Sequence, residues 1–243
     1  MGSACVWNHG PVTSAFARPA ALGGLLACGG GVLTVAALHV VHPAGEIDPV
    51  RRTISEYALH ESAWLFNLGV LALAAGSAAV LLALTLTGLV RPASVGGIGL
   101  LLWVAGLFAV VYFPKHDWRI GPSVGGDVHR LASLVAFVSL PAAAIALGWF
   151  WLRHPRWTGY ARGTIAGAAL ALMFFGVIVG AVLLEPVTGV RWWRAIPVGA
   201  VERGLAVAEV ATILTLGLWA RSAISPVVAR APVAAVPDPA SPA

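Results

Sequence analysis

An all-α membrane protein, a compact bundle of six transmembrane helices, is what this sequence predicts. Three observations carry the prediction. Only 10% of the 243 residues are charged, where a soluble domain has about 25%. Mean hydropathy is +0.87, which belongs to the membrane class. The apolar residues also fall into six runs, each about as long as a helix needs to cross a hydrocarbon core of ~30 Å. The chain divides into an amino-terminal tail (1–18), a six-helix transmembrane domain (19–222) and an Ala/Pro-rich stretch (223–243) without periodicity, expected to be disordered.

The first span is Ala20–Val41, with His39 and His42 closing it at i, i+3 and Pro43 stopping it. Residues 39–61, HVVHPAGEIDPVRRTISEYALHE, then form the densest polar block of the chain. Within it, Thr53-Ile54-Ser55-Glu56 has the spacing of a capping box. That spacing predicts a helix starting near Thr53 and running unbroken into the second span, Ala63–Val90. On such a helix Glu56, His60 and Asn67 make a polar stripe descending into the bilayer, and lipid cannot satisfy it.

After the turn Arg91-Pro92 comes a glycine-rich third span, Ala93–Phe113. A second polar loop, Lys115-His116-Asp117-Trp118-Arg119, leads to Asp127, placed to cap the fourth span, Val128–Leu152. Pro141 lies inside that span and is expected to kink it. The basic turn Arg153-His154-Pro155-Arg156 precedes the fifth span, Tyr160–Leu184, which Glu185-Pro186 should end. Its two motifs, Gly163xxxGly167 and Gly176xxxGly180, permit close helix approach. They lie on opposite sides of the helix and should face different neighbours. A third polar loop, Arg191-Trp192-Trp193-Arg194, leads to the sixth span, Pro197–Ala220, which opens with Glu202-Arg203 and carries Glu209 inside it.

Six spans put both ends of the chain on one side. That side has Arg18, Arg91, Arg153, Arg156, Arg162, Arg221 and Arg230, with Asp238 its sole acid. The opposite side has eight acids and eight bases, Glu209 beneath them, and five of the seven histidines. The count of Lys and Arg, seven against eight, does not orient the chain. Arginines in short turns without acids to pair with resemble topology signals, so the termini are placed in the cytoplasm and the protein in the cell membrane. The bases are spread over short loops and make no continuous face for a phosphate backbone, which excludes nucleic acid as a partner. Two cysteines, one in the tail and one in an apolar run, make no disulfide framework.

The polar loops are expected to gather at one mouth of the bundle. The candidate catalytic residues are Glu56, His60, Asp127, His129, Glu202 and Glu209. The candidate substrate-binding residues are Arg52, Arg203, Trp64, Trp118 and Trp192. Each has a plainer alternative. The tryptophans fit an aromatic belt, Glu56 an ion pair with Arg52, and Asp127 a helix cap. Glu209 is the hardest to dismiss, because an ionisable group within a span costs at least ~2–3 kcal/mol. A neutral Glu209 bonded to a neighbouring helix is its structural alternative. A metal held by His39, His129 and carboxylates, or a haem between the two histidines, lacks any supporting spacing. The sequence calls for no cofactor and no metal.

The chain resembles a bacterial membrane family known as a domain of unknown function, number 998. The matching residues are Arg52-Thr53-Ile54-Ser55-Glu56-Tyr57-Ala58, Phe113-Pro114, Gly126-Asp127-Val128-His129 and Glu202-Arg203, in order across roughly residues 20–220. The resemblance implies a compact six-helix membrane protein and no reaction.

Three functions fit these features. The first is an acid–base enzyme acting on a lipid or isoprenoid, by cyclisation or hydrolysis. In it Glu209 would be the acid, His129, His39 or Glu56 the base, and Arg52 and Arg203 the grip on an anionic headgroup. The second is a proton- or cation-coupled transporter built on Glu209. The third is a non-catalytic accessory subunit whose charged face docks a partner. Membrane lipids are partners in every case.

Overall fold

The computed structural model describes residues 11–41 and 44–224. His42 and residues 225–243 lie outside them. Among the described residues seven α-helices follow one another: α1 (Pro11–Ala37), α2 (Ala63–Leu86), α3 (Val95–Tyr112), α4 (Val124–Trp151), α5 (Thr158–Thr188), the single turn α6 (Trp192–Ala195) and α7 (Val198–Ala223). No strand occurs among the described residues. All but α6 are long and apolar enough to span a membrane. This is an all-helical, multi-pass membrane protein.

Backbone polar groups have no water to bond inside a bilayer, so each run closes its hydrogen bonds within a helix. The ends follow local chemistry. Ser94 caps α3 by accepting from the Gly97 amide at 3.2 Å. Ser123 caps α4 by accepting from the Gly126 amide at 3.1 Å, so the cap expected at Asp127 falls one turn earlier. Gly189, at φ +67°, ends α5 in the left-handed conformation that glycine adopts without strain. Thus α5 runs a turn past Glu185, with Pro186 inside it. At the other end of the chain α1 reaches back to Pro11, into the stretch expected to be a tail.

Neighbouring helices close through small residues, as membrane helices do in the absence of a hydrophobic force between them. A β-carbon on Gly31 would lie 2.5 Å from the Gly69 carbonyl, which locks α1 on α2. Gly99 faces Ser139 and Ala143, and Gly106 faces Ala132 and Ala136, joining α3 to α4. Gly163 and Gly167 meet Thr215 and Thr212 of α7. Gly176 and Gly180 have nothing within 4 Å, so this second motif, expected to meet another helix, meets none among the described residues. The main core lies between α2, α3, α4 and α7, and Trp103, Leu140, Ile213, Leu216 and Trp219 are buried in it. Trp103 keeps its indole N–H satisfied there by donating to Ser77 Oγ at 3.0 Å.

The expected helix from Thr53 into the second span does not form. Residues Ile54–Leu59 make a separate 3₁₀ helix, and α2 starts afresh at Ala63. Thr53 makes no side-chain cap bond. Its hydroxyl instead accepts from Lys115 Nζ at 3.0 Å. The stripe of Glu56, His60 and Asn67 on one helix face is therefore broken. Glu56 lies in the 3₁₀ helix, His60 is exposed in the turn after it, and only Asn67 is on α2.

Candidate functional site

The segment 44–60 lies as a cap over one end of the bundle, and Arg203 fastens it there. Arg203 sits in the second turn of α7, where its guanidinium reaches back over the cap. Nη1 donates to the carbonyls of Pro49 at 2.7 Å, Arg52 at 2.8 Å and Gly199 at 3.0 Å. Nε donates to His39 Nε2 at 2.8 Å. His39 Nδ1 is 3.2 Å from the Ala36 carbonyl, so the tautomer consistent with both contacts carries its proton on Nδ1. The planar fork thus joins α1, the cap and α7. Tyr57 is fully buried beside it, edge-on to His39 with ring centroids 5.5 Å apart. Gly199 permits this closeness, since a β-carbon there would run into the Arg52 and Pro49 carbonyls.

Two further ties hold the cap. Glu202 Oε2 accepts from the Ile54 amide at 2.8 Å, satisfying a 3₁₀-helix donor that has no partner of its own. Lys115, from the loop after α3, bonds Glu56 Oε2 at 2.8 Å as well as Thr53. Glu56, Glu202 and Arg203 therefore do come together, with Lys115, Thr53, Tyr57 and His39. Arg52 enters through its carbonyl, and its side chain is exposed. The ion pair weighed for Glu56 forms with Lys115 rather than with Arg52.

The remaining candidates stand apart from this cluster. His129 is buried on α4, and its Nδ1 lies 3.0 Å from the Val110 carbonyl and 2.9 Å from that of Phe113. It closes the carboxyl end of α3 by holding carbonyls that no helical amide reaches. His129→Ala should cost about 1–2 kcal/mol and raise deuterium exchange at residues 112–115. Exchange unchanged from wild type would remove this role. Asp127 is exposed, and its Oδ1 lies 3.3 Å from Nε2 of buried His116. The Nδ1 of His116 accepts from the Ser123 amide at 3.0 Å. Gly126 leaves room for that ring, against which a β-carbon would collide.

His60 is exposed, as are Trp64 and Trp118. Trp192 is held locally, donating its backbone N–H to Glu185 Oε2 at 3.1 Å. Asp117 and Arg119 form a forked pair at 3.0 and 2.9 Å, and the guanidinium holds the Asp117 carboxyl below its usual range. Among the described residues no group of three His, Cys, Asp or Glu side chains is placed to hold a metal ion.

Glu209 lies deeper. It stands one heptad below Glu202 on α7, about 10 Å along the axis, at the centre of the buried stripe of Leu205, Ala208, Thr212, Ile213 and Leu216. It is 1% exposed, and among the described residues Oε1 has no hydrogen-bond partner and no charged group is paired with the carboxyl.

Two open grooves, about 470 and 240 Å³, lie on the outer surface around α3. Both are apolar; Leu71, Phe108, Tyr112 and Phe113 line the larger. None of the candidate residues borders either one.

Sequence reasoning placed Lys115, Tyr57 and His116 in the polar segments of this end but did not single them out as site residues. Lys115 had a usable signal, being the sole lysine of the chain, next to Pro114 at the end of a span.

A family model described as protein of unknown function (DUF998) matches residues 21–219. Neither a curated protein nor a solved structure matches the chain.

Proposed function

The chain belongs to the DUF998 family, and we propose that its working group is Glu209, which takes up and releases a proton or monovalent cation inside the bilayer as part of a coupled transport cycle. The observation that carries this reading is the solitary carboxyl: 1% exposed, within a span, with Oε1 unbonded. Such a group costs at least ~2–3 kcal/mol, and a leucine there would pack without that cost. The structural alternative, a neutral acid bonded to a neighbouring helix, requires a hydrogen-bond partner on that helix for either carboxyl oxygen. None is present among the described residues. Glu202, a heptad nearer the surface on the same stripe, supplies a second carboxyl on the way to the polar end.

Purified protein in liposomes, with a pH-sensitive dye inside and an imposed potential, is expected to pass protons. Glu209→Gln, which keeps shape and removes ionisation, should lower the flux to that of protein-free liposomes. A hydrophobic carbodiimide should label Glu209 in the wild type. Equal flux in wild type and Glu209→Gln would sink the proposal.

The surface enzyme on a lipid or isoprenoid is the second reading, favoured by the exposed Arg52 and His60 at the same end as exposed Trp64 and Trp118. It is weaker in one respect: Arg203, its expected headgroup grip, has Nη1 and Nε committed to the cap. It predicts turnover of a lipid without flux, lost on replacing His129 or Glu202. For the membrane topology we propose that the arginine-bearing end faces the cytoplasm.

A further inference from the structure

We propose that the end of the bundle opposite the cap carries a binding surface for anionic phospholipid headgroups, centred on the turn between α4 and α5. Six arginines lie at this end: Arg18, Arg91, Arg153, Arg156, Arg162 and Arg221, all exposed. Among the described residues no acidic side chain accompanies them. The ion pairs in which both partners are described residues all lie at the other end. Arginine without a counter-ion at a membrane surface is complementary to phosphodiesters, which its fork meets with two parallel bonds.

The arginines are not loose ends of mobile turns. Trp151 anchors the turn by donating its indole N–H to the Leu89 carbonyl at 3.0 Å, which brings the α2–α3 turn and Arg91 alongside. Aromatic rings continue the brace, with Trp151 against His154 at 5.3 Å and His154 stacked on Trp157 at 6.1 Å. Trp157 then meets buried Trp219 of α7 at 6.4 Å. Arg156 lies over the Trp157 ring at 4.3 Å and donates to the Ser222 carbonyl at 3.2 Å, beside Arg221. Two turns and the end of α7 thus present one basic surface on an aromatic base. Trp149 and Phe150, both largely exposed, flank it at the depth where rings meet headgroups. Four or more basic residues beside a membrane-spanning helix are enough to select anionic lipid.

The test compares wild type with two triple variants that remove equal charge. One is Arg153→Gln/Arg156→Gln/Arg162→Gln at this surface. The other is Arg51→Gln/Arg130→Gln/Arg194→Gln at the capped end. Each is reconstituted in nanodiscs of phosphatidylglycerol mixed with phosphatidylcholine, and the lipids that stay bound after extraction are counted by native mass spectrometry. Wild type is expected to retain phosphatidylglycerol by about tenfold over its share of the mixture. The first variant should lose most of that enrichment, and the second should keep it. Raising ionic strength to about 0.5 M during extraction should weaken retention. No enrichment in wild type, or equal loss in both variants, would overturn the proposal. So would inorganic phosphate raising the melting temperature of detergent-purified wild type as much as phosphatidylglycerol does. If the first variant does not fold, Arg156→Gln alone decides: retention equal to wild type counts against the surface.

Discussion

Arg203→Ala is expected to lower the unfolding free energy by about 3 kcal/mol and to detach residues 48–60 from α7. The magnitude follows from what one side chain holds. Its guanidinium supplies donors to three carbonyls and to His39. Removing it leaves the Pro49 and Arg52 carbonyls close to the apolar end of the bundle with no donor. Lysine is not an adequate replacement. A single ammonium on a flexible stem cannot reproduce bonds that leave Nε and Nη1 in fixed directions. The readouts are the midpoint of unfolding in a denaturing detergent and deuterium exchange across 48–60. Both should change together, and Arg203→Lys should recover only a minor part. Exchange in 48–60 matching wild type would show that Glu202 and Lys115 hold the cap without Arg203. The experiment also separates two roles for this residue. A headgroup-binding Arg203 would alter lipid turnover while leaving the cap protected.

How far the sequence reveals such a structure depends on the range of the interactions. The six spans were legible because a bilayer imposes one rule on every residue of a run, and the length of the apolar stretch records it. The convergence of Glu56, Glu202 and Arg203 was legible as well, since polar blocks that interrupt apolar spans must collect at a surface. The details that escaped were set by distant partners. Thr53 and Glu56 have capping-box spacing, yet Lys115, 62 and 59 positions away, engages both side chains. The Ile54 amide finds its acceptor in Glu202, 148 positions away. A motif four residues long cannot report on partners that far along the chain. Gly176xxxGly180 illustrates the converse, for the spacing that allows a close approach does not supply a helix to approach. His129, at the start of the fourth span, had the chemistry of a candidate base in the sequence. In the structure its Nδ1 contacts the Val110 and Phe113 carbonyls at the end of α3.

Gly76→Val should force α1 and α2 apart, at a cost of about 3 kcal/mol. A β-carbon on Gly76 would stand 2.7 Å from the Cys28 amide nitrogen and 2.8 Å from the Gly24 carbonyl. Both are backbone atoms, so no rotamer change makes room, and the two helices must separate. The reciprocal contact of Gly31 with Gly69 would open with them. In a bilayer this loss is not offset by apolar attraction elsewhere, because lipid tails cover a freed helix as well as another helix does. Cys28 reports the event directly. It is fully buried on α1 and its thiol faces Leu73 of α2, 3.8 Å from the carbonyl. Alkylation of Cys28 by a membrane-permeant maleimide, followed by peptide mass spectrometry, should be slow in wild type and fast in Gly76→Val. Gly29→Ala is the matched control, for a β-carbon at Gly29 meets nothing within 4 Å and should leave the rate unchanged. A slow rate in Gly76→Val would mean that α1 stays seated without the backbone contact, and that the Arg203 clamp on His39 alone is enough to hold it.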